Sequence, residues 1–200
     1  MEYRAPSFFE AVVRGFRLYF RFSGRDTRAH FWPFVFVATL IPGIITFATD
    51  QVRARQVAAA YPDFPQDLMA GVINERALDA MRESPAHDPF PLAWFTIATI
   101  LILIIPYSSA VVRRLHDIGL RGWWLFPQIL MGTAVGYVQL SVIGNPIQNA
   151  SEFIEFFRIA LLLNLMLLLW TLMLVYFVVQ DGDYGANRFG LDPKHREFAK

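Results

Sequence analysis

The sequence predicts an all-α integral membrane protein with four transmembrane helices, both termini cytoplasmic, and an N-terminal amphipathic helix at the membrane interface. Three observations carry that prediction. All 18 basic and 17 acidic residues fall outside four apolar stretches, residues 31–49, 92–112, 123–143 and 159–179. At ~1.5 Å rise per residue a helix of about 20 residues matches a hydrocarbon layer of ~30 Å. Lipid offers no partner to peptide N–H and C=O groups, so such a run must be helical. Second, 55% of the residues are apolar and only 18% charged, more apolar side chain than a soluble core of this length absorbs. Third, the charges are asymmetric: segments 1–30, 113–122 and 180–200 hold 13 of the 18 cations, whereas the other two loops hold five basic and nine acidic residues. Cationic segments stay on the cytoplasmic side, which places both termini inside and residues 50–91 outside. The chain reads as one membrane domain, residues 1–200.

In chain order, Ser7-Phe8-Phe9-Glu10 predicts a capping box, a Ser oxygen and a Glu carboxylate each taking an unpaired N–H at a helix start. Beyond it Phe9, Val12, Val13, Phe16, Tyr19 and Phe20 recur on one side and Glu10, Arg14, Arg17 and Arg21 on the other. Such a segment, within residues 1–30, suits either the interface plane or the cytoplasmic ends of the spans. After the first span, prolines at 62, 65, 85, 89 and 91 bracket a short outer helix expected over 66–83. Arg113 and Arg114 close the second span, where cations suit both the helix C-terminus and the cytoplasmic interface, and Trp123 and Trp124 open the third as an aromatic belt. In the third span Gly132 and Gly136 have the small-xxx-small spacing of a close helix contact, and Gln128, with Gln139, and Asn164 of the fourth are read as amides pairing across helices. The fourth span has neither Pro nor Gly between 159 and 179 and should run straight. The tail occupies 180–200.

Several functions are disfavoured. There is no cysteine, which removes thiol nucleophiles, disulfides and Cys-based metal sites. His30, His87, His116 and His195 lack zinc-helix spacing, and an apparent calcium loop from Asp181 to Asp192 has Ala186 where Gly is required, so no metal and no cofactor is expected. No ionisable group lies within a span, which counts against a proton-coupled pump. The cations form no dense basic strip, which counts against nucleic acid.

The residues that could carry chemistry gather in three segments that each abut a span: SGRDTRAHFW at 23–32, RRLHDIGLRGWW at 113–124 and GDYGANRFGLDP at 182–193. Adjacent His116 and Asp117 point apart on a helix and make a poor acid–base dyad, and Arg113 is placed at i, i+4 to meet Asp117. Asp181 or Asp183 can pair with an arginine of the other segments and clamp the tail. Together the three segments, in this order relative to the spans, resemble the family catalogued as domain of unknown function 805, over about residues 22–193. The chain departs from that pattern at Leu120-Arg121 and Leu191. The resemblance implies a small four-helix bacterial inner-membrane protein and no particular reaction.

Arginine forks bind phosphate or carboxylate bidentately. Arg25, Arg28, Arg113, Arg114, His116, Asp117, Asn187 and Arg188 are therefore read as a cytoplasmic site for an anion. The leading reading is a binding or structural module, not an enzyme, engaging anionic lipid headgroups or a protein partner; no pattern fixes an oligomeric state. Two other classes remain: a small-solute transporter or channel using Gln128, Gln139 and Asn164, and a membrane-embedded enzyme acting on a lipid phosphate through His116 or Asp117.

Overall fold

The computed structural model describes residues 4–60, 62, 90–144 and 150–194. Among these there is no strand, and the helices run α1 Phe8–Arg17, α2 Arg28–Ala60, α3 Phe90–Asp117, a 3₁₀ helix Gly122–Leu125, α4 Phe126–Gly144 and α5 Ala150–Val179. The outer helix expected over 66–83, the side chain of Gln139, and His87 and His195 lie outside the described residues.

The capping box opens α1: the Ser7 amide donates to Glu10 Oε2 at 2.7 Å and the Glu10 amide to Ser7 Oγ at 3.3 Å. The helix ends at Arg17, with Leu18 as its cap, so Tyr19 and Phe20 sit in the following turn and do not extend an apolar stripe. Its buried edge is Ala11 and Gly15, not the phenylalanine face. Gly15 lies so close to Phe34 that any β-carbon there would overlap the ring, and Phe16 meets the same ring edge-on at 5.3 Å. Small residues let α1 approach α2, and the aromatics are left outside: Phe9 is 75% exposed and Phe20 74%.

Among the described residues three helices are long and apolar enough to cross a membrane: Arg28–Val52, Trp94–Asp117 and Ile154–Val179. Each helix outruns its apolar stretch. α2 continues to Ala60 because Gln, Arg and Ala after Asp50 favour helix once the chain is polar. α3 continues through Asp117 and carries Arg113 and Arg114 on its last turns. The stretch expected at 123–143 is divided: Gly122–Leu125 is 3₁₀, and the α-helix starts at Phe126, so Pro127 falls in the first turn where its missing N–H breaks no bond. α4 and α5 pack on each other, with Trp124 stacked 5.9 Å from Trp170 and edge-on to Phe177 at 5.5 Å.

By contact the chain divides into two compact units, Met1–Val35 with Pro106–Lys200, and Phe36–Ile105. In the first, Phe31, Phe34, Val111, Leu115 and Val178 are buried. In the second, Ala38 and Leu103 are buried while Phe36, Phe47 and Leu101 face outward. Long apolar side chains turned outward along the helices are what a lipid solvent accepts and water does not.

Candidate functional site

The last turns of α3 set the geometry. Successive helical residues are rotated by about 100°, so Arg113 and Arg114 leave the helix on different sides and meet different carboxylates. Arg113 Nε donates to Asp26 Oδ2 at 2.5 Å, and its Nη1 reaches the carbonyls of Leu18 and Arg21 and Ser109 Oγ. Arg14 Nη2 donates to the other oxygen of Asp26 at 3.0 Å, and the Asp26 amide donates to Arg113 O at 3.1 Å. Arg114 pairs with Asp117 Oδ2 and donates to the carbonyls of Val178 and Gln180. Arg25 Nε holds the second oxygen of Asp117 at 3.0 Å, and its two Nη groups donate to the carbonyls of Asp183 and Gly185, both at 2.6 Å. The expected Arg113–Asp117 pair is thus replaced by Arg114 at i, i+3 and by Arg25, because Asp26 of another segment captures Arg113.

This is a two-carboxylate, four-guanidinium cluster, and except for Arg14 it is closed to solvent. The side chains of Arg25, Arg113 and Arg114 are between 0 and 2% exposed and both aspartates 4%. The charge not balanced by Asp26 and Asp117 falls on carbonyl oxygens, several of them at or next to helix ends, where the last four C=O groups lack an intrahelical partner. Arg113 takes Leu18 O after α1, Arg114 and Arg28 take Val178 O and Val179 O in the last turn of α5 and Gln180 O just beyond it, and Arg25 reaches Asp117 O at the end of α3. Cations at helix C-termini also favour the helix dipole.

The tail is laid over this cluster. Arg28 pairs with Asp181 at the surface, and the Asp183 amide donates to Asp117 O at 2.8 Å. Gly182 passes so near the Asp117 carboxylate that a β-carbon would strike it. Asn187 and Gly190 exchange two backbone hydrogen bonds of 3.0 Å, a turn that lets Asn187 Nδ2 reach His116 O at 2.9 Å and Arg188 Nη2 reach Gly119 O at 2.6 Å. Phe189 stacks on the His116 imidazole with centroids 3.9 Å apart, and Arg188 sits 4.8 Å from the centre of the Phe189 ring. His116 Nδ1 contacts Gly24 O, so His116 and Asp117 serve different partners and form no dyad.

All eight residues read from the sequence as an anion site, Arg25, Arg28, Arg113, Arg114, His116, Asp117, Asn187 and Arg188, are brought together. Of its cations, Arg28 and Arg188 remain at the surface, whereas Arg25, Arg113 and Arg114 are buried. Missed by the sequence reading were Asp26, Arg14 and Ser109; the Arg25-Asp26 dipeptide was the available signal, since its two charges go to different partners. Of the packing residues, Gln128 exchanges hydrogen bonds with Thr171 between α4 and α5, whereas Asn164 donates to Ala160 O on its own helix. Gly132 and Gly136 face open space, and a β-carbon at either would meet nothing within 4 Å. Among the described residues no three His, Asp or Glu side chains are grouped to hold a metal ion.

The family model described as "Protein of unknown function (DUF805)" matches residues 19–191, which takes in the first two polar segments and the third as far as Leu191 and leaves α1 outside. No curated protein and no solved structure matches the chain. With most of its length matched, from the turn after α1 to the tail over Asp117, the chain belongs to this family of unknown function.

Proposed function

We propose that the chain is a single membrane domain of four spans, residues 31–49, 92–112, 123–143 and 159–179, with both termini on the cytoplasmic side of a bacterial inner membrane. There it acts as a non-enzymatic binding module for anionic lipid headgroups. The observation that carries this reading is the division of labour among the arginines. Buried Arg25, Arg113 and Arg114 hold the helix ends together, while Arg28 and Arg188 are exposed and Arg17 and Arg21 are exposed beside exposed Phe20 and Phe22. Exposed phenylalanine beside exposed arginine is the composition of a surface that enters the acyl boundary and meets phosphate. Catalysis on a lipid phosphate is less well supported, because both Asp117 oxygens are engaged by arginine and His116 is stacked under Phe189. Transport is less well supported too, since Gln128 is satisfied by Thr171 and Asn164 by its own helix.

The test uses the full chain in nanodiscs of mixed phosphatidylglycerol and phosphatidylcholine, with retained lipid counted by native mass spectrometry. The double substitution Arg28→Glu, Arg188→Glu is expected to lower phosphatidylglycerol retention several-fold while the helical content stays unchanged. Equal retention by the folded double variant overturns the reading.

A further inference from the structure

The cluster around Asp26 has an outward side that the headgroup reading does not use. Between the segment before α1 and the start of α2 lies a cavity of about 370 Å³ lined by Arg4, Ala5, Pro6, Glu10, Arg14 and His30. We propose that this cavity is a second anion site, for a phosphate group, held by the Arg14 and Arg4 guanidiniums.

Three features point to it. The first is charge. Asp26 is shared by Arg14 and Arg113, one carboxylate between two guanidiniums, so the pair leaves a net positive charge at the cavity wall. Arg4 adds another, offset in part by Glu10, the single acid in the lining, whose Oε2 accepts from the Ser7 amide at 2.7 Å as part of the helix cap. The second is an unmet donor. Arg14 Nη2 is fixed on Asp26, yet Arg14 Nε is buried and has no hydrogen-bond partner. Buried donors are nearly always satisfied, and a guanidinium pinned at one nitrogen with another vacant is ready to take an oxyanion oxygen. The third is placement. Arg14 is anchored from behind by the buried ion pairs, while His30 is held by Thr27 Oγ1 on its Nδ1 at 2.9 Å, so two lining side chains have fixed positions before any ligand arrives. The volume exceeds that of a bare phosphate and admits a phosphate ester with part of its substituent, which fits either a soluble phosphate or the headgroup of a lipid.

This inference does not rest on the Arg28 and Arg188 reading and can fail separately from it. The full chain in neutral detergent is titrated with inorganic phosphate by calorimetry, and the same chain in nanodiscs is assayed for phosphatidylglycerol enrichment over phosphatidylcholine. Arg14→Lys keeps a cation for Asp26 but removes the Nε donor, and Arg4→Gln removes an exposed charge that no buried pair needs. Each is expected to weaken binding about tenfold, the effect of one charge-assisted hydrogen bond, whereas Arg121→Gln, at an exposed position outside both sites, leaves binding unchanged. Loss in the detergent titration identifies a soluble phosphate as the ligand; loss confined to the nanodisc assay identifies a headgroup. The proposal is overturned if neither probe binds, or if binding is indifferent to Arg4→Gln and to Arg14→Lys in folded protein.

Discussion

Asp117 spends each of its oxygens on a different arginine, Arg25 on Oδ1 and Arg114 on Oδ2, with all three side chains buried. Burying charge is tolerable only while the partners and the surrounding carbonyls are in place. Asp117→Ala should therefore strand two guanidiniums at once and cost about 3–5 kcal/mol, seen as a large drop in thermal midpoint in detergent. Arg121→Ala, at an exposed position before the 3₁₀ helix, should leave the midpoint almost unmoved. A change of similar size at both positions would show that the buried pairs do not dominate stability. At this scale the sequence was informative about which residues cluster and silent about who pairs with whom. Helical spacing allowed Arg113 to meet Asp117, but the choice was decided by Asp26, 87 residues away in sequence, which no local pattern ranks.

At the scale of the element, α1 shows the same boundary. Its start was legible because a capping box is a local device with a fixed spacing. Its buried face was not: amphipathicity marked the phenylalanines, whereas close approach to Phe34 needs Gly15 and Ala11. The far end of α2 and the start of α5 were missed for a related reason, since a search for uncharged residues stops at the first charge while the helix does not. The cap makes a pH prediction. The Ser7 backbone N–H, more than any other contact, holds the Glu10 carboxyl below its ordinary range. A lowered pKa means that the cap is complete above the usual glutamate range and is lost as pH falls through the folded value. The Ser7 amide proton shift, followed by NMR in detergent, should titrate with Glu10 in the intact chain and stay flat in Glu10→Gln. A flat profile in the intact chain would remove the cap from solution.

For the whole molecule, the helical class and the apolar lengths could be read directly, because a hydrocarbon solvent forbids charge over a known thickness. Among the described residues three helices meet that criterion; the proposed fourth span and the N-in, C-in orientation rest on α4 and on the distribution of cations. Reporter fusions ahead of Ser7 and after Lys194 should both report the cytoplasm, and an external signal from either would reverse the orientation and with it the headgroup reading. Less legible was the partner of the Gly132 and Gly136 face, which has small residues at the right spacing and open space before it.

The fastening of Arg25 to the carbonyls of Asp183 and Gly185 bears on how the protein is made. These groups are 158 and 160 residues apart, so the guanidinium emerges from the ribosome long before its acceptors exist. A nascent chain must carry Arg25 and Arg114 incompletely satisfied through insertion of every later helix, and only translation of residues 178–185 lets both finish their bonds. A stalled or prematurely terminated product thus carries unsatisfied cations at the end of α3 and before α2, a chemical mark by which unfinished copies differ from finished ones.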